Sequence, residues 1–355
     1  MFDNVISLPV PHRRQSLPER AGRLLPIFAE CRRNAEDVFW LKENAELLNI
    51  LECTGSAVER ADLCVHAEFY AGLPEKLAFL PQYYRFLLSM CLDLEDLGLP
   101  ENSGEKLCQF VAREGLPEAE FSDLQRAEAR RLLARRNICG PSDLGLNDRL
   151  RAFMRRSATF ALPNKKAAYE LTHIVFYLSE YGRCDPLLDA AAITSLEFAG
   201  VLAFLDQNMD LLAEICIALR FAGEAPNMVW EEAVLRNLDM FSADDESHAP
   251  LADDYHEYLV SFWLAALRGD RVRGRALSED RTTFHRPERR AGPLRTISAT
   301  MMQMEGTRSP DWSTMRPILE KSIDESGRHI LSAVEASTPH FEAFFEGFAR
   351  TRLAV

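Results

Sequence analysis

An all-α fold follows from three features of this sequence. Apolar residues recur at i, i+3 and i+4 spacing along most of the chain, and Gly and Pro close the apolar runs. No stretch alternates apolar and polar residues with the Val, Ile and Thr content of a strand. The expected architecture is stacked helical hairpins, either an α/α toroid-like ring or a large helical bundle.

Each element has its own justification. Residues 1–18 carry Pro9, Pro11 and Pro18 with little periodicity and read as an extended N-terminal arm. An N-terminal helical part spans 19–140. In it Leu24, Leu25, Phe28 and Cys31, then Val38, Leu41, Ala45, Leu48 and Leu51, form apolar stripes. An apolar helix over 84–97 meets its stop signals at Gly98 and Pro100. Ser122 precedes a charged helix over 123–136, with acids early and arginines late, the order that complements the helix dipole.

A C-terminal helical part, 141–355, is expected to carry the functional site. Its helices are predicted over 146–159, 165–181, 189–208, 209–222, 229–240, 255–267, 312–325, 329–336 and 340–353. Two stretches break the pattern. Segment 241–254 is acidic and polar, and the Arg-rich loop 268–295 holds nine arginines with Pro287 and Pro293. That loop has too few apolar residues to offset the entropy of ordering it, and is expected to be irregular and exposed.

Composition narrows the function. Hydrophobic residues make up 47% of 355, enough for a sizeable core. A formal charge of −13 argues against general nucleic-acid binding, which needs a basic face. No apolar run is long enough for a membrane span. The eight cysteines contain no C-x-x-C pair, so zinc ribbons are excluded and reduced thiols in a cytoplasmic protein are expected. Phosphate-loop, dinucleotide-loop, nucleophile-elbow and H-E-x-x-H motifs are absent.

The pattern with the clearest chemistry is carboxylate-x-x-His. On a helix, positions i and i+3 lie close enough for both side chains to reach one metal ion. Glu170 and His173 have this spacing on a strong helix, and Asp253 and His256 have it at the start of another. Asp210 and Glu214 lie on the apolar helix between them, and Glu68 is a candidate from a fourth helix. Carboxylates in apolar helices need a neutralising partner. Glu170, His173, Asp210, Glu214, Asp253 and His256 are thus the expected metal ligands, for a divalent first-row ion such as Fe, Mn or Zn. His173, Glu214 and Tyr177, one turn after His173, are the expected catalytic groups. The repeated H-x-x-F-Y pattern at His66 and His173 hints at a duplicated helical pair, with histidines at equal depth.

These segments also resemble a bacterial all-helical family, a domain of unknown function. Its members carry T-H-x-x-F-Y followed by an acidic or aromatic pair and Gly, then D-L-x-x-E, then Y-H. Here the matching segments run from Glu170 to Gly182, from Asp210 to Ile215, and across Tyr255 and His256, roughly the middle third of the chain. Tyr181 stands where a Phe beside an acid is expected. The resemblance implies a helical domain whose shared polar residues fall on Glu170, His173, Asp210, Glu214 and His256, and it offers no established activity.

Two functions from different classes follow. One is a mono- or di-metal oxidoreductase or hydrolase acting on a small-molecule or peptide substrate between helices. The other is a non-catalytic helical scaffold that binds a peptide or partner protein.

Overall fold

The apolar stripes fold as helices. The computed structural model describes residues 15–140, 142–244, 253–270, 277, 282–289 and 291–351. Among these the regular structure is helical except for two three-residue strands, so the protein is all-α. Ser16 closes a capping box with Glu19 and starts the helix Leu17–Pro26, with Pro18 in its first turn, where a missing N–H costs nothing. Helix therefore begins at Leu17, inside the expected arm, whose residues 1–14 lie outside the described residues. The chain then passes through a π-turn, Ile27–Cys31, that ends at Arg32.

Val38–Cys53, capped by Asp37, packs along Tyr84–Leu97. The latter ends at Gly98 with φ 111°, the left-handed stop its sequence predicts. Met209–Phe221 is mostly apolar and buried on every face, and such a helix needs neighbours all round. It has them in Lys165–Leu178, Ala190–Leu205, Met228–Asp239 and Tyr255–Arg268. Tyr255–Arg268 also leans on Val38–Cys53, and Lys165–Leu178 on Asp123–Ala134. One apolar core consequently runs from Ala21 to Ala349 and continues across residue 140. Among the described residues no helix is long and apolar enough to cross a membrane.

The described part of the Arg-rich loop departs from its expected exposure. Thr283–His285 pairs antiparallel with Ser242–Asp244, and Thr282, Thr283 and Phe284 are buried. Phe284 stacks on Tyr258 at 4.3 Å between ring centroids. The cause lies in buried carboxylates elsewhere. The Phe284 amide donates to Asp253 at 2.8 Å, and Arg289 grips Glu257 through two bonds of 2.7 and 2.9 Å. Once those partners exist, docking the segment removes unpaired buried charge. The rest of the loop, and residues 245–252 of the acidic segment, lie outside the described residues.

The two H-x-x-F-Y histidines are not equivalent. His66 ends a short 3-10 turn, Cys64–His66, and is fully buried, while His173 sits mid-helix with its side chain 36% exposed. The Asn44 amide nitrogen donates to the carbonyls of Phe28 and Trp40, so its Oδ1 must accept from His66 Nε2 at 2.9 Å. Burial lowers the His66 pKa to about 4, which keeps it a neutral packing residue.

Candidate functional site

Four helices converge on one polar cluster. Lys165–Leu178 supplies Tyr169, Thr172 and His173; Met209–Phe221 supplies Asp210 and Glu214; Tyr255–Arg268 supplies Tyr255 and His256; Val38–Cys53 supplies Lys42 and Glu46. Local caps set the helix starts that matter: the Asn164 side chain accepts from the Ala167 amide, and Asn208 from the Leu211 amide.

Asp210 uses both oxygens. Tyr169 donates its hydroxyl to Oδ1 at 2.7 Å, and His256 donates Nδ1–H to Oδ2 at 2.6 Å. The other nitrogen of the same ring, Nε2, faces Glu214 Oε1 at 3.9 Å and Glu46 Oε1 at 4.0 Å. Asp210, Glu214 and His256 each bring one ligand atom to within 4.8 Å of the others. Glu214 is buried, with Oε2 taking the Thr172 hydroxyl at 2.6 Å and lying 3.6 Å from His173 Nδ1. That Nδ1 donates to the Tyr169 carbonyl at 2.8 Å, which leaves Nε2 as the nitrogen able to exchange a proton. Glu46 accepts from the Tyr255 hydroxyl at 3.0 Å and pairs with Lys42 at 3.3 Å.

The electrostatics follow from this crowding. Burial would lower the His256 pKa, but the hydrogen bond and charge of Asp210, with Glu46 and Glu214 behind, raise it to about 9. Burial pushes Asp210 upward, and the His256 hydrogen bond and charge, aided by Tyr169 and Lys42, bring it below the usual carboxyl range. At Glu214 burial wins over both histidines, and its pKa is raised.

The cluster opens on a cavity of about 260 Å³. Its wall includes Tyr177, Phe176, Tyr181 and Trp263, and its far side carries Arg85 and Glu128. Tyr177 stands edge-on to His173 at 6.1 Å. Beyond that helix, Glu180, Tyr181 and Gly182 take left-handed backbone in succession, at φ 49°, 53° and 86°. This costly turn folds Tyr181 back onto Phe176 and Trp263, at 5.9 and 5.8 Å between ring centroids.

The structure thus brings together His173, Asp210, Glu214 and His256, and seats Tyr177 in the adjoining wall. Glu170 is half-buried, is absent from that group and does not line the cavity. Residues three apart on a helix differ by about 60° in direction, which suffices to turn Glu170 off the His173 face. Asp253 is also elsewhere, because it precedes the helix and its i, i+3 spacing to His256 is not helical. Both its oxygens pair with Arg32, at 2.8 and 3.0 Å. Glu68 is exposed, and the fourth helix brings Glu46 instead to 4.0 Å from His256 Nε2. Glu46 had a readable signal: Lys42, Glu46 and Asn49 recur at i, i+4, i+7, which puts three polar residues along one line of their helix.

No curated protein and no solved structure matches the chain. A family model described as Domain of unknown function (DUF6902) matches residues 2–351, nearly the whole sequence. The chain therefore belongs to the DUF6902 family.

Proposed function

We propose that the protein is a metal-dependent hydrolase holding one divalent first-row ion between Glu46, Glu214 and His256 Nε2. The observation that carries this is the facing of His256 Nε2 by two carboxylate oxygens at 3.9 and 4.0 Å. Ligands about 2.0–2.2 Å from a shared ion stand roughly 3.0–4.2 Å apart, depending on the angle between them. Asp210, with both oxygens occupied, would take the outer role of orienting the His256 ring: its bond to Nδ1–H leaves Nε2, once deprotonated, as the nitrogen that would ligate. A bound ion would supply Lewis-acid chemistry. His173, with Nδ1 committed to a backbone carbonyl, would move the proton through Nε2. Asp210, Glu214 and His256 form the sole three-residue His/carboxylate cluster among the described residues, with Glu46 reaching it only through His256 Nε2, which favours one ion over two.

The test is metal uptake by the full chain. Cobalt(II) titration should saturate at one ion per chain with visible d–d absorption, and His256→Ala and Glu214→Gln should each lose it. Equal uptake by wild type and His256→Ala, or none by either, rejects the site.

A further inference from the structure

We infer that the cavity beside the cluster is a binding site for a small neutral carboxamide with a flat apolar body, anchored by Asn49 and Tyr177. The proposal rests on the metal reading only for which end of the ligand would react.

Asn49 is 8% exposed and lines the cavity, and its side-chain amide has no hydrogen-bond partner among the described residues. Asn44, five residues earlier on the same helix, has its amide fully used by Phe28, Trp40 and His66. Tyr177, 9% exposed, lines the same cavity with its hydroxyl likewise unpartnered among the described residues. Two side chains more than nine-tenths buried, lining one cavity with their polar ends free of any protein partner among the described residues, are the placed hydrogen-bonding groups a ligand pocket offers.

Charge selects the class. Each cation of the lining already has an anion: Arg85 pairs with Glu120 at 2.9 Å and with Glu128, Lys42 with Glu46, and His256 with Asp210. An added anion would meet Glu128 and Glu46, and an added cation Arg85 and Lys42, so a neutral group is favoured. Asn49 offers an acceptor and two donors, and a carboxamide returns the same set. Phe86, Phe176, Tyr181 and Trp263 supply apolar walls suited to a ring. A volume of about 260 Å³ lies just below the ~300 Å³ at which drug-sized pockets begin, so the ligand is small.

The test uses benzamide, benzoate and benzylamine on the chelator-treated full chain, so that it is independent of metal binding. Benzamide should bind about tenfold more tightly than either charged analogue. Asn49→Leu should weaken it about tenfold and Tyr177→Phe about threefold, the loss of one or two hydrogen bonds. If Asn49→Leu does not fold, Asn49→Asp keeps the size and should shift the preference to benzylamine. Benzoate or benzylamine binding as tightly as benzamide to wild type overturns the inference. So does unchanged benzamide affinity in both folded variants, or no benzamide binding at all.

Discussion

His256 donates to Asp210 at 2.6 Å across two helices that begin 46 residues apart in the chain, and this one bond organises the polar centre of the protein. It fixes which imidazole nitrogen carries the proton toward Asp210 and which faces Glu46 and Glu214. It also ties the stability of the fold to pH.

The alkaline limb of stability should belong to His256. Its pKa is raised from 6.5 to about 9, so its contribution is complete below about pH 6.5 and is lost as pH rises through 9. Asp210 is shifted the other way, so its contribution is present above about pH 4 and is lost as acid protonates it. With part of the His256 ring exposed to solvent, about 2–3 kcal/mol should disappear between pH 6.5 and 9.5. Urea unfolding across that range checks this, and His256→Gln should flatten the profile.

Metal and proton should compete for the same nitrogen. Because His256 is protonated below about pH 9, binding an ion through Nε2 must release that proton. Apparent affinity for zinc should therefore rise about tenfold per pH unit from 6 to 8 and level off near 9. Calorimetry in buffers of different ionisation enthalpy should count about one proton released per ion at pH 7.

Arg32 should be worth several kcal/mol. Its guanidinium is fully buried among Phe28, Tyr255 and Phe284, bonded to Glu43 at 2.9 Å, to Asp253 at 2.8 Å and to the Thr282 carbonyl at 2.6 Å. Arg32→Met leaves buried Asp253 without a cation and Glu43 with Arg33 alone, and should destabilise the protein by about 3–5 kcal/mol in chemical denaturation. Adding Asp253→Asn to that variant should recover part of the loss. Arg32 also joins the helix bearing Glu46 to the start of the helix bearing His256, so the variant should weaken metal binding too.

Gly182→Ala should be among the costlier single-methyl additions. Gly182 has φ 86°, and a Cβ there would stand 2.5 Å from the Phe221 ring. Strain and overpacking together should cost about 2–4 kcal/mol, read as a fall in Tm. Gly223→Ala, at φ 79° with open space around it, should lose only the smaller conformational part.

Helices were legible in the sequence because their signals are local. The apolar stripe of Tyr84–Leu97, its Gly98 stop, and the cap Ser122 each act within a turn or two of themselves. Burial of Glu214 was legible for the same reason, since a carboxylate flanked by apolar residues on a mostly apolar helix has few places to go. Which groups answer those carboxylates was a tertiary matter. The i, i+3 rule joined Asp253 to His256, yet the helix begins at Tyr255 and Asp253 turns instead to Arg32, 221 residues away in sequence. Glu170 shared the spacing but not the face, while Tyr169 beside it reached Asp210. The Arg-rich loop looked solvated because its own residues offer little to bury. The order of its described part, 282–289, comes from Asp253 and Glu257, whose need for partners exists only after the helices have packed. Sequence alone determined the helices and the residues that could not stay unpaired, since periodicity and desolvation act on each residue where it stands. Pairing depends on distance in space, and only the packing of four helices around Met209–Phe221 decided it.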